Sequence, residues 1–125
     1  MKAYVPSWKS SSKIRKQRKY RAKAPLHVKQ KLTHAHLSKD LKLKYKKRSI
    51  AIRKGDKVKI MIGSFRKTEG KVDLVRLKDQ KVFVAGIEIT KRDGSKKQIA
   101  LNPSNLMITE LNMDDKQRQK ILERK

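Results

Sequence analysis

The sequence predicts a mainly β protein: a small, half-open barrel of about five strands, preceded by a basic extension that holds short helices. Three observations lead there. From Gly55 onward the apolar residues recur with period 2, the pattern of strands that bury one face. Gly86 stands where that phase changes, as a barrel corner requires. Charge is segregated from the apolar pattern: residues 1–54 hold 19 Lys and Arg against one acid, a net +18 of the chain's +25. A length of 125 residues allows one ordinary domain and little more. The expected division is a basic extension over 1–54, a barrel over 55–112, and a short C-terminal helix or tail over 113–125.

In chain order, Ser10 to Lys23 is built from good helix formers but has only Ile14 and Tyr20 as apolar side chains. A helix without an apolar face does not offset its ordering entropy in water. Ala24-Pro25 ends it. Ser38 is a candidate N-cap with Asp40 in the first turn, and Leu37, Leu41 and Tyr45 form a narrow stripe expected to dock on the barrel through Leu41. Val58, Ile60 and Ile62 then alternate with Lys57, Lys59 and Met61 as the first strand, and Gly63 to Gly70 forms a loop. The next strand, Lys71 to Leu77, slips phase between Leu74 and Val75, which predicts a bulge. Asp79-Gln80 turns the chain into Lys81–Ile89, and Asp93-Gly94 is a type I′ hairpin signal. Asn102-Pro103-Ser104-Asn105 makes a one-turn connector to a last strand, Leu106 to Leu111, with Leu106 and Ile108 inward. Asp114 is the expected cap of a short helix reaching about Leu122.

So dense a positive charge opposes compaction unless a polyanion screens it. Phosphate backbones are the usual polyanion, since each cation placed near one releases condensed counterions. Membrane surfaces and heparin-like sugars attract basic chains too, but no basic stretch here has the broad apolar face of a membrane-active helix. Cysteine is absent, which removes disulfides, thiol catalysis and cysteine-based zinc sites. No apolar run approaches the 18 or so residues of a membrane span, and a soluble intracellular protein is expected, with no membrane partner. There is no P-loop, no G-x-S-x-G and no carboxylate pair in an apolar setting. Glu69 and Asp73 lie among lysines and read as salt-bridge partners. No enzyme activity, small-molecule substrate or cofactor is expected. His27, His34 and His36 form a weak metal-ligand set without nearby cysteine, so contacts to phosphate or ribose hydroxyls are the better reading and no metal is expected.

The candidate RNA contacts fall in three groups. Lys9, Lys13, Arg15, Lys16, Arg18, Lys19, Arg21 and Lys23 would cover most of a helix's circumference, as suits an arm that folds inside a groove of structured RNA. A disordered solubilising tail or a nuclear-import signal is the alternative. Trp8 and Tyr20, with Tyr4, lie beside cations where no core absorbs them and suit stacking on unpaired bases, or packing on the barrel or a neighbouring chain. Further along the extension, Lys29 and Lys31 join the three histidines. The third group is the loop tip, Ser64, Phe65, Arg66 and Lys67, with the two cations placed for phosphates; inward packing of Phe65 against the barrel end is the alternative.

Arg53-Lys54-Gly55-Asp56-Lys57-Val58-Lys59-Ile60-Met61-Ile62-Gly63, followed by Phe65 and Glu69-Gly70-Lys71-Val72, resembles the KOW motif. With Arg15-Lys16-Gln17-Arg18-Lys19, Ala24-Pro25-Leu26-His27, His36-Leu37-Ser38-Lys39-Asp40-Leu41 and the Asn102–Leu106 region, nearly the whole chain is similar to the archaeal and eukaryotic form of the large-subunit ribosomal protein twenty-four family, called twenty-six in eukaryotes. The resemblance implies an SH3-like barrel, binding to large-subunit rRNA near its 5′ end beside the polypeptide exit, neighbouring ribosomal proteins as partners rather than a homo-oligomer, and a part in early subunit assembly in the cytoplasm. The KOW piece alone is shared with transcription elongation factors, so an elongation adaptor is the alternative; those factors pair the barrel with a separate α/β domain that this chain has no room for. One departure stands out. Lys67 occupies a position where the family commonly has glycine, and lysine accepts positive φ poorly, which predicts a different turn.

Overall fold

The computed structural model describes residue 4 and residues 11–124. Their elements are α1 (Ile14–Lys23), α2 (Leu26–Lys31), β1 (His34–Leu37), α3 (Lys39–Tyr45), β2 (Ser49–Ala51), β3 (Lys57–Ile60), β4 (Glu69–Arg76), β5 (Lys81–Val84), β6 (Glu88–Thr90), β7 (Lys96–Gln98), a 3-10 turn (Pro103–Asn105), β8 (Leu106–Glu110) and α4 (Lys116–Glu123). Six strands form one sheet in the order β2-β1-β8-β3-β4-β5, and β6 pairs with β7 as a separate hairpin. The β1–β8 pair is parallel, and the other strand pairs are antiparallel.

The barrel of about five strands expected from the sequence is seen as an open six-stranded sheet in a mixed α and β protein; the outer strands β2 and β5 do not pair with each other. Strands β1 and β2 come from the segment expected to be extension. They are four and three residues long, too short to establish a period, and polar His34, His36 and Ser49 interrupt their apolar content. Packing decides the matter instead. Ala35, Leu37, Ile50 and Ile52 are buried in the same core as Val58, Ile60, Val72, Val82, Val84, Leu106 and Ile108. A fully buried aliphatic side chain contributes roughly 1.5–3 kcal/mol, so these few residues suffice to hold two short strands on the sheet edge.

Several expected elements form where the residues predict them. Val58 and Ile60 point inward along β3, as do Leu106 and Ile108 along β8. The outward lysines of β3 meet acids directly across the ladder: Lys57 faces Glu110 on β8 with Nζ 2.9 Å from the carboxylate, and Lys59 faces Glu69 on β4 at 3.3 Å. Ser38 caps α3, its hydroxyl accepting from the Leu41 N–H, and Leu41 and Tyr45 pack on the core beside Leu37. Ile62, expected inward, is 63% exposed. The ladder ends at Ile60, whose carbonyl accepts from the Lys67 N–H at 2.8 Å as the chain turns away.

The bulge in β4 lies between Val72 and Leu74, one step before the expected slip. Glu69 to Lys71 pair with β3 and Val72 to Arg76 with β5, so β4 changes partners just before the bulge. At Gly70 a Cβ would stand 2.5 Å from Val84 Cγ1 and 2.9 Å from the Ala85 carbonyl oxygen; only glycine admits β5 this close. The Asp93-Gly94 turn is a three-residue loop. Gly94 alone has positive φ (81°), and Lys91 N–H donates to the Ser95 carbonyl at 2.8 Å. That is a type I turn closed by a left-handed glycine, the next most common hairpin loop after the two-residue form.

The C-terminal helix is locked to the sheet. Asp115 caps α4 by accepting from the Gln117 N–H, one residue after the expected cap. Arg118, on α4, is buried and makes a two-pronged ion pair with buried Asp56: Nη1 to Oδ1 2.6 Å and Nη2 to Oδ2 2.7 Å. Asp56 also accepts from the Arg53 and Asn112 N–H groups, each at 2.9 Å. Arg118 donates further to the carbonyls of Asn112 and Ala51. Arg53 pairs with Asp115, and Leu122 fills the core from the same helix.

Candidate nucleic-acid interface

Helix α1 buries none of its ten residues. Arg15, Lys16, Arg18, Lys19 and Arg21 are exposed, as is Lys13 before the first turn. At about 100° per residue these side chains project around most of the helix, so cations face outward on several sides at once. No acid stands in the first turn, while Arg21 and Lys23 lie in the last, where the helix dipole favours positive charge. Tyr20 is half-buried. Its hydroxyl lies 2.7 Å from that of Tyr4, with ring centroids 5.2 Å apart. The aromatic pair therefore braces the arm internally, a contact that residues sixteen positions apart did not reveal in the sequence. Trp8 and Lys9 lie outside the described residues.

Other candidates are placed along the chain from the arm. His27 and Lys31 are exposed on α2. Lys29, between them, is buried: its ammonium donates to the carbonyls of Ala22 at 3.2 Å and Lys78 at 3.3 Å. Among the described residues of the arm it is the one buried cation. His34 and His36 alternate with buried Ala35 and Leu37 on β1, so both histidines face outward from the sheet. Among the described residues no group of three or more potential ligands is arranged to hold a metal ion.

Partial loss of hydration, although part of the ring reaches solvent, and then the nearby Lys31 charge hold His34 below the usual imidazole value of 6.5. The unfolded chain takes up this proton first, so stability falls as pH drops through about 6.5. A proton-NMR titration of His34 should give a midpoint below 6.5. Lys31→Met should move that midpoint upward; an unchanged midpoint would exclude the charge contribution.

In the loop, Ser64, Arg66 and Lys67 are exposed and Phe65 is half-buried against the core. The ring of Phe65 seats the loop while the two cations next to it point to solvent. Lys67 adopts φ 72°, the left-handed conformation expected to be closed to it. The Lys67 N–H bond to Ile60 and the Thr68 N–H bond to Phe65 hold the turn in this form, so the glycine-type geometry persists with a lysine in it. A further basic run, Lys42 to Arg48, was not singled out from the sequence. It spans the end of α3 and the approach to β2, where Lys44, Lys46 and Arg48 are exposed. The Arg48 carbonyl accepts from Leu37 N–H at 3.1 Å, which sets the run beside β1 and its histidines. Its charge density was the available signal.

The architecture is thus an apolar sheet core carrying a cationic helix, an outward histidine strand and a basic loop. Residues 11–125 match the model of a ribosomal protein family described by its eukaryotic member, L26, and its archaeal member, protein twenty-four. Among curated proteins, the chain is 48% identical to the large ribosomal subunit protein uL24 of Methanospirillum hungatei, over 90% of this chain and 93% of that protein. It is 48% identical to the protein of that name from Methanosphaera stadtmanae, over 92% and 98%. The match to that of Methanothrix thermoacetophila is 46% identical over 91% and 98%. Helix α1, the sheet and helix α4 all fall within the family match, and the chain belongs to the uL24 family of large-subunit ribosomal proteins.

Proposed function

We propose that this protein is a structural constituent of the large ribosomal subunit in the cytoplasm. It binds large-subunit rRNA near the 5′ end, beside the polypeptide exit and among neighbouring ribosomal proteins, and takes part in early subunit assembly. The observation that carries this reading is α1: a helix of ten residues, charged on several sides, none of which is fully buried within its own chain. A phosphate-lined cleft is the environment that repays its ordering. The work is charge neutralisation and the fixing of RNA geometry, without turnover. The change of partners along β4 supports reading the open sheet as a half-closed SH3-like barrel, a rigid seat for the arm and for the Gly63–Gly70 loop.

Crosslinking from Lys13, Lys19 and Arg66 to RNA in assembled large subunits tests this. Crosslinks should fall in the 5′ region of the large rRNA; their absence from rRNA would refute the assignment.

Lys67 offers a second test, because the two roles of that position pull apart. A lysine in the left-handed region costs roughly 1–2 kcal/mol, and glycine escapes this while gaining about 0.4–1 kcal/mol of unfolded-state entropy. Lys67→Gly should therefore leave stability equal or raised by up to about 1.5 kcal/mol, yet weaken RNA binding by losing one phosphate contact. Denaturant melts and RNA titrations of the same preparation read both. A loss of stability would contradict the strained-turn reading.

A further inference from the structure

Lys29 stands apart from the rest of the arm's cations. Its neighbours Lys31 and His27 are exposed, but Lys29 retains 7% of its surface. Lysine is rarely buried unless its ammonium is satisfied, and here it donates to two carbonyls, Ala22 and Lys78. The first belongs to the last turn of α1, whose final carbonyls lack partners within the helix and carry the negative end of its dipole. The second lies 49 positions away, in the turn between β4 and β5. A single ammonium thus joins the end of the basic helix to the sheet.

The geometry matters because α1 buries no residue of its own. Just past its end, Ala24 is buried at 6% exposure and fixes one point of the chain. Burial at Ala24 alone does not set the direction of the helix, and a bond from its last turn to the sheet helps to set it. We propose that Lys29 is a positioning residue that aims α1 from the sheet toward its RNA cleft, rather than one of the residues that touch phosphate. It holds the arm in its bound direction before RNA arrives, lowering the ordering cost of binding without adding a charge contact. This rests on the RNA-binding reading above, while the direction of the arm is measurable without any RNA.

The test uses the full chain. With no native cysteine, Asp79→Cys in the β4–β5 turn gives a single site for a spin label. Paramagnetic broadening should fall off in a fixed gradient along α1 from Lys23 toward Ile14 when Lys29 is present, and that gradient should be averaged out in Lys29→Met, with the sheet amides unshifted. Binding to a transcript of the 5′ region of large-subunit rRNA is then measured across salt concentrations. Lys29→Met should bind about tenfold more weakly, as freed segments must be ordered on binding, with its salt slope unchanged. Lys31→Met, an exposed cation, should lower the slope by about one.

A slope reduced by Lys29→Met as by Lys31→Met would make Lys29 a phosphate contact and overturn the proposal. So would a gradient of broadening along α1 that survives the substitution unchanged. Collapse of the sheet spectrum in Lys29→Met, with Lys29→Arg folding normally, would make it a stability residue and overturn it equally. If the parent chain fails to bind the transcript, the RNA reading falls, and the broadening alone still decides whether Lys29 directs the arm.

Discussion

Replacing Arg118 by methionine is expected to cost about 3–5 kcal/mol, because it leaves Asp56 as a buried charge without its partner. Asp56 is fully buried and Arg118 is 2% exposed, so no water stands ready to compensate. The same side chain also serves the Asn112 and Ala51 carbonyls. Its loss should therefore release α4, and with it Leu122, from the core. A domain with a single small core has only a modest margin, and a substantial unfolded fraction at growth temperature is the expected consequence. Guanidinium melts give the number. The double variant Asp56→Asn with Arg118→Met should recover part of the loss, since it removes the stranded charge while the introduced amide oxygen still accepts from one backbone N–H. A single variant as stable as the parent would show that the ion pair is not what fastens the helix.

The second large effect belongs to the arm. Converting Lys13, Arg15, Lys16, Arg18 and Lys19 together to glutamine keeps good helix formers in place while removing five positive charges. Each cation at a phosphate contributes about one to the salt slope of binding, so the slope should fall by up to about five. Affinity for the 5′-region transcript at physiological salt should drop at least about 100-fold. The sheet should melt as before, since α1 contributes no buried residue. Fluorescence titrations at several salt concentrations read both quantities. An unchanged slope would mean that these side chains meet solvent in the bound state as they do in the free one.

Much of this is legible in the sequence, and what is not has physical reasons. Val58 and Ile60 read as inward because they alternate with Lys57 and Lys59, and Leu106 and Ile108 share a phase opposite to Thr109. The Ser38 cap and the docking of Leu41 and Tyr45 are readable from local spacing alone, whereas Leu37, expected on the same helical stripe, belongs to β1. The bulge in β4 is visible as a slip in phase, though its position is off by one step. Strands β1 and β2 are not legible, since β1 is held by pairing with β8, far along the chain, rather than by its own pattern. The same holds for Arg118. In sequence it is one cation in a polar tail; its partner lies 62 positions earlier, inside the glycine–aspartate pair of the KOW-like segment. At the candidate interface, the exposed cations of α1 and of the loop are identifiable from charge density. Burial of Lys29, the Tyr4–Tyr20 pair and the seating of Phe65 are tertiary contacts, which composition does not encode.

The central claim is that helix α1, which has no fully buried residue of its own, is stabilised by RNA. Amide hydrogen exchange over residues 14–23, with and without the 5′-region transcript, tests it most directly. Protection of this segment should rise markedly on binding while β3 and β8 exchange as slowly as before. Equal protection in both states would contradict the account, for the arm would then be a stable element in its own right with no dependence on nucleic acid.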